Sequence, residues 1–255
     1  MRLKGKNALV TGSSRGIGRG IAIRYAQEGA NVAINYVGAA QAAEDTLAAV
    51  TAYGVRGVIL PADVANVGEV QALVERAAAE LGPLDILVNN AGIEKHAPFW
   101  EVTEQDYDKV IDVNLKGVFF ATQAMVRHLR SVGRAGRIIN ISSVHEELAF
   151  PNFSAYCASK GALRMLARNL AVELGPLGIS VNNIAPGAIE TPINTSLLND
   201  PAKLGALLHQ IPLNRLGQPD DVAGLAVFLG ADEAGYVTGS TFVVDGGLSV
   251  NYMEQ

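Results

Sequence analysis

Short apolar runs alternate along this chain with longer segments whose apolar positions recur at helical spacing. The runs at residues 8–10, 32–35, 58–60, 86–88, 137–141, 179–182 and 242–244 have the length and β-branched content of buried strands. Helix-length segments separate them, beginning with one at 16–28. Alternation at this spacing requires crossover connections, which are right-handed, and so predicts an α/β fold. Its centre is a seven-stranded parallel sheet, doubly wound with helices on both faces.

Two of the predicted helices carry candidate chemistry. One spans about 103–130 and contains Asn114; the other spans about 152–174 and contains Tyr156 and Lys160. Between 191 and 218 the rhythm breaks, with Pro192, Pro201 and Pro212 punctuating a mixed segment and Pro219 closing it. That segment is expected to act as a mobile lid over a pocket. With no linker, repeat or low-complexity tract, residues 1–255 read as one domain.

Composition narrows the function classes. Apolar residues make up 49% of the chain and charged ones 18%, which suits a large core and argues against disorder. A formal net charge of −5 with no basic stripe speaks against nucleic acid as a partner. No apolar run approaches the roughly 18 residues that would span a bilayer, so no membrane partner is expected. The lone Cys157 cannot form an internal disulfide, which fits a cytoplasmic location, and it reads as a small helix filler. The four histidines, at 96, 128, 145 and 209, show no ligand spacing, and no metal site is expected.

The segment Thr11-Gly12-Ser13-Ser14-Arg15-Gly16-Ile17-Gly18 follows the first strand and opens the first helix. Glycines there allow a tight turn and close backbone approach to a pyrophosphate, which the helix N-terminus attracts. With a strand before it and a helix after it, the segment reads as the dinucleotide site of a Rossmann-type fold, an ordinary strand-to-helix turn being the alternative; the spacing is Gly-x3-Gly-x-Gly. At the end of the second strand, Asn35-Tyr36-Val37 carries no carboxylate to repel a 2′-phosphate. NADP is therefore expected to be accepted, with NAD also usable. Arg15 can pair with the 2′-phosphate or simply solvate the turn, and Asp63-Val64 can hold the adenine amine or form an ordinary turn. Asn90, Ala91 and Gly92 after the fourth strand, and Pro186, Gly187, Ile189 and Thr191 after the sixth, fall at the sheet edge where the cofactor groove would run.

Tyr156 and Lys160 stand one helical turn apart, which puts the ammonium on the phenol's face. An ordinary tyrosine has a pKa of about 10, so work near neutral pH needs a shift of roughly three units. The neighbouring cation is expected to supply it. Ser143 precedes this pair on the chain, at the end of the fifth strand.

Taken together, residues 11–18 and 89–92 with Asn114, Ser143, Tyr156, Lys160 and Pro186-Gly187 resemble the short-chain dehydrogenase/reductase family over essentially the whole chain. The resemblance implies an oxidoreductase in which Tyr156 exchanges a proton with the substrate oxygen and Ser143 holds that oxygen. Lys160 would bind the nicotinamide ribose and acidify the tyrosine, and Asn114 would anchor a water that links the lysine to solvent. It also implies a homotetramer joined partly through the two long helices.

The stretches 90–94, 142–146 and 186–194 are similar to those of bacterial glucose 1-dehydrogenases, which implies that Glu94, His145 and Asn194 bind sugar hydroxyls. A sugar dehydrogenase giving the lactone is then the leading expectation for the small-molecule substrate. A 3-oxoacyl-thioester reductase is the alternative, and a non-catalytic dinucleotide-binding scaffold a third reading of another class. Residues 37–38, 95–100 and 197–210 depart from the glucose enzymes.

Overall fold

The computed structural model describes residues 1–38, 40–192 and 199–251. All seven expected strands are present: β1 (Asn7–Val10), β2 (Asn31–Tyr36), β3 (Gly57–Pro61), β4 (Ile86–Asn89), β5 (Gly136–Ile141), β6 (Ile179–Pro186) and β7 (Thr241–Val244). They form one parallel sheet in the order β3-β2-β1-β4-β5-β6-β7. The order reverses between β1 and β4. At such a reversal the connections leave in opposite directions and open a crevice at the strands' carboxyl ends.

One face of the sheet is covered by α1 (Gly16–Gln27), α2 (Ala40–Thr51) and α8 (Pro219–Gly230), which bury Ile21, Tyr25, Val50 and Val227 against Val10, Ile34, Val88 and Ile139. The other face is covered by α3 (Val67–Leu81), α5 (Gly117–Ser131) and α6 (Ser154–Leu174), with Leu73, Met125 and Ala167 packed on Leu9, Leu87 and Ile138. Strands buried on both faces need apolar side chains at consecutive positions, which is why the strand runs are unbroken rather than alternating.

The long helix expected at 103–130 is interrupted. It consists of α4 (Glu104–Ile111), a π turn (Asp112–Lys116) and α5, and Asn114 lies in the π turn. The extra residue in that turn rotates Asn114 inward, where its amide donates to the Ile93 carbonyl at 2.8 Å and to Ser159 Oγ at 3.2 Å. Its Oδ1 accepts from Ile93 N at 2.9 Å. Apolar spacing does not reveal such a turn, because one widened loop leaves the flanking periodicity intact. In the expected lid segment the structure places α7 (Pro201–Gln210), a helix with no buried residue. No helix among the described residues is long and apolar enough to cross a membrane.

Candidate active site

The glycine loop is held by tethers on three sides. Gly12 N donates to Asn35 Oδ1 at 3.0 Å, and the Asn90 side chain donates to the carbonyls of Thr11 and Gly12 at 2.9 and 3.0 Å. The Thr11 hydroxyl accepts from the backbone of Asn90 and Ala91. Ser14 contributes its carbonyl, which accepts from the Thr46 hydroxyl at 3.1 Å.

Packing here leaves no room for side chains: a Cβ on Gly18 would lie 2.4 Å from Asn90 Nδ2, and one on Gly12 would lie 2.9 Å from Ala91 Cα. Gly12 and Gly16 also have φ of +59° and +56°, a region that favours glycine. The exposed Arg15 sits at the N-cap of α1 without capping it by a side chain, and the first turn holds no acidic residue. An uncapped helix start of this kind offers amide donors and a positive dipole end, so the loop fits a dinucleotide pyrophosphate.

The other residues expected to meet the cofactor lie along the same edge of the sheet. Tyr36 ends β2 half-buried, and the exposed Asp63 turns its carboxylate back to accept from Ala65 N at 2.9 Å, beside the buried Val64. Asn35, one residue before Tyr36 in β2, has a structural part instead. It is buried and ties the loop to β3 by donating to the carbonyls of Leu60 and Ala62. Pro186 ends β6, Gly187 N donates to the Val244 carbonyl, and Ile189 is buried. Thr191 stands over the loop, where a Cβ on Gly16 would lie 3.5 Å from its Cγ2.

At the other end of the crevice, Ser143, Tyr156 and Lys160 meet above β5. Lys160 is only 5% exposed and donates to the Ile141 carbonyl at 2.9 Å, with its ammonium 5.6 Å from the Tyr156 ring centre. Gly92 lies beside it, where a Cβ would be 3.7 Å from Lys160 Nζ and 3.5 Å from Asn114 Oδ1. Burial pushes the Lys160 pKa down to about 8, with the Glu146 carboxylate holding it up. Burial also pushes the Tyr156 hydroxyl up to about 12; the Ser143 hydroxyl opposes this rise and the Glu94 carboxyl adds to it. The expected acidification of Tyr156 by Lys160 is thus not met in the protein alone. A low dielectric disfavours both charged forms, and the ammonium is directed at a carbonyl.

Beyond Tyr156 stands a wall of rings. His145 stacks on Phe150 with centroids 4.2 Å apart, Phe150 stacks on Phe153 at 4.0 Å, and His96 meets Phe153 edge-on. His145 in turn presents an edge contact to Tyr156 at 6.3 Å. Burial lowers the His145 pKa, so the ring is neutral near pH 7. Its Nδ1 lies 3.2 Å from the Leu148 carbonyl, which assigns the proton to Nδ1 and leaves Nε2 as an acceptor. The Glu94 carboxyl is desolvated and its pKa raised, with His96 partly offsetting the rise. Asn194 lies outside the described residues.

Sequence reasoning missed Asn35 as a loop tether, the stack of Phe150 and Phe153, and the buried carboxylate of Glu146. An asparagine inside an apolar strand run was the available signal for the first, because a buried amide must find partners. The other two had none.

Comparison with known proteins identifies the chain's relatives. A family model described as enoyl-(acyl carrier protein) reductase matches residues 12–249. A 3beta-hydroxysteroid dehydrogenase from Eggerthella lenta is 43% identical over 97% of this chain and 95% of its own. A 3-oxoacyl-[acyl-carrier-protein] reductase from Staphylococcus aureus is 45% identical over 95% of this chain and 98% of its own. A gluconate 5-dehydrogenase from Burkholderia cenocepacia, solved with NADP and tartrate, superposes with a TM-score of 0.92 at 39% identity, covering 98% of each chain. These relatives are named for steroid, thioester and sugar-acid chemistry, and the narrower likeness to glucose 1-dehydrogenases is not among them. The family match, these relatives and the seven-stranded parallel sheet establish that the chain belongs to the short-chain dehydrogenase/reductase family of oxidoreductases.

Proposed function

We propose that the protein is an NAD(P)-dependent sugar dehydrogenase that oxidises the anomeric carbon of β-D-glucose or a similar aldose to the lactone. The observation that carries this reading is the polar set around Tyr156. The Glu94 carboxyl bears electrostatically on its hydroxyl, and the neutral His145 stands edge-on to its ring. A polyhydroxylated substrate needs donors and acceptors at fixed places, and a carboxyl with an imidazole acceptor supplies them.

In this mechanism Ser143 holds the reacting oxygen by hydrogen bonding and Tyr156 removes its proton. Lys160 binds the nicotinamide ribose and stabilises the tyrosinate as it forms, while Asn114 orders the proton path behind the lysine. NADP or NAD, when bound, would supply the hydride acceptor, held by the residues of the glycine loop and by Lys160. Arg15 and the uncapped start of α1 meet the phosphates, and the absence of a carboxylate after β2 admits NADP. Asp63 and Val64 meet the adenine. Asn194 and the segment 191–218 complete the substrate side.

A reductase acting on 3-oxoacyl thioesters is the second reading, favoured by the 45% identical relative of that name. A panel of aldoses, sugar acids and acetoacetyl thioesters, read as reduced-nicotinamide absorbance with each cofactor, separates the two. Turnover of aldoses at kcat/KM well above the thioester is expected; turnover of the thioester alone overturns the sugar reading.

The reading includes a cytoplasmic homotetramer. Exposed apolar side chains on the long helices, among them Tyr107, Phe119, Met165 and Val172, support burial against further copies. Light scattering measures the assembly.

A further inference from the structure

The turn that follows Ser143 contains a charge that the mechanism leaves unused. Glu146 belongs to a single 3-10 turn, Val144–Glu146, and its side chain is 3% exposed. Burying a carboxylate is costly unless it is paired and hydrogen-bonded. Here the Ser142 hydroxyl donates to Glu146 Oε2 at 2.6 Å, and Arg164 Nε lies 3.8 Å from Oε1. Arg164 is also paired with the exposed Glu147, so Glu146 has only a share of that guanidinium. Glu146 N donates to the Ser143 carbonyl at 3.0 Å, and Lys160 holds the Ile141 carbonyl. Residues 141–143 are therefore gripped by the lysine at one end and by Glu146 at the other.

We propose that Glu146 is a positioning residue of the active site: its buried carboxylate fixes the Ser142-Ser143 turn and is the counter-charge that keeps Lys160 an ammonium. The proposal rests on the reading that Lys160 meets the nicotinamide ribose. Charge on the surrounding elements supports the pairing. Arg164, one turn along α6 from Lys160, turns its guanidinium to Glu146 and Glu147. β6, packed beneath α6, carries no charge. From α4 and the π turn, also packed on α6, come Glu104, Asp106, Asp108, Lys109, Asp112 and Lys116; Asp106 and Asp112 are already paired with Lys95 and Lys116. His145 on the same turn is neutral, and Glu94 acts on Tyr156. Glu146 acts to keep the proton on Lys160 against the effect of burial.

The test is NADPH affinity, followed by the cofactor's own fluorescence from pH 7 to pH 9.5, where its 2′-phosphate no longer titrates. In the unaltered protein, affinity is expected to fall as pH rises through about 8, where Lys160 loses its proton. Glu146→Gln keeps the shape and the acceptor for Ser142 but removes the charge, and should move that fall about one pH unit lower. Glu146→Asp should restore it in part. Arg164→Gln, which frees the Glu146 carboxylate from its partial pairing, should move it the other way.

A role in packing alone would weaken binding equally at every pH, and that result overturns the proposal, as does an unmoved midpoint in both Glu146→Gln and Arg164→Gln. If the unaltered protein shows no fall and Lys160→Met binds NADPH equally well, the reading of Lys160 fails instead and takes the proposal with it. Substrate identity does not enter this measurement, so failure of the sugar assignment leaves it intact.

Discussion

The glycine loop after β1 and the turn after β5 face the same crevice, but they are built on different principles. The loop is a shape. Its tethers are neutral amides, hydroxyls and carbonyls, and its tolerance is set by Gly18 and Gly12, where a Cβ would meet Asn90 and Ala91. The turn after β5 is a charge arrangement. Lys160 and Glu146 are buried there, Tyr156 and Glu94 are partly so, and the pKa of Lys160, Tyr156 and Glu94 is displaced by burial. A shape site should fail through geometry and be indifferent to pH, whereas a charge site should keep its fold and fail through protonation.

The largest expected effect comes from the charge side. Tyr156→Phe removes one hydroxyl from a half-buried ring without disturbing its packing, and should cost about 10²–10⁴-fold in kcat. NADPH affinity should stay within a few-fold, as measured by fluorescence titration. A comparable loss of affinity would mean that the two regions are not separable.

Gly18→Ala should act in the opposite manner. The added methyl would sit 2.4 Å from Asn90 Nδ2 and 2.6 Å from the Gly12 carbonyl, so the loop must shift. A cost of about 1–3 kcal/mol in stability is expected, together with NADPH affinity weaker by roughly tenfold or more. Thermal melting and the same titration measure both, and the pH dependence of binding should be unchanged.

These two regions were unequally legible in the sequence. Gly12, Gly16 and Gly18 announce the loop because only a backbone requirement explains glycines between a strand and a helix, and the strands announce themselves because burial on both faces leaves continuous apolar runs. Tyr156, Lys160 and Ser143 were legible as chemistry, but their electrostatics were not. Whether Lys160 acidifies Tyr156 depends on depth and on where the ammonium points, and neither is written in a spacing of four residues. Glu146 illustrates the same limit: in sequence it is one more charged residue in a turn, and only its 3% exposure and its Ser142 partner distinguish it from Glu147 beside it. The π turn at Asn114 escaped notice because it inserts a distortion without breaking the pattern.

Glu94→Gln sharpens the comparison on the substrate side. Loss of its carboxylate should raise KM for the preferred aldose about tenfold, because a charge-assisted hydrogen bond is replaced by a neutral one. It should also remove a contribution that raises the Tyr156 pKa. The acid limb of the oxidation profile should therefore move to lower pH, even as binding weakens. A change in KM with no movement of the limb would place Glu94 outside the field of the tyrosine.

The smallest expected effect is on folding, and it tests the charge region without any substrate. Lys160 has a pKa of about 8 in the folded protein against an ordinary value of 10.5. Between these values the unfolded chain binds more protons at this residue than the folded one does, so stability from this group rises with pH across that window. The burial penalty is fully present below pH 8 and is relieved as the lysine becomes neutral. From pH 8 to pH 9 the gain should be about 1 kcal/mol, close to the limit of 1.36 kcal/mol per unit for one proton. Lys160→Met has no proton to lose there, so the unfolding free energy of the unaltered protein should rise relative to that of the variant as pH increases from about 8 to about 10, as read by urea titration. Gly18→Ala, altered only in shape, should keep the full rise; if it loses the rise as well, the loop and the turn share one electrostatic unit.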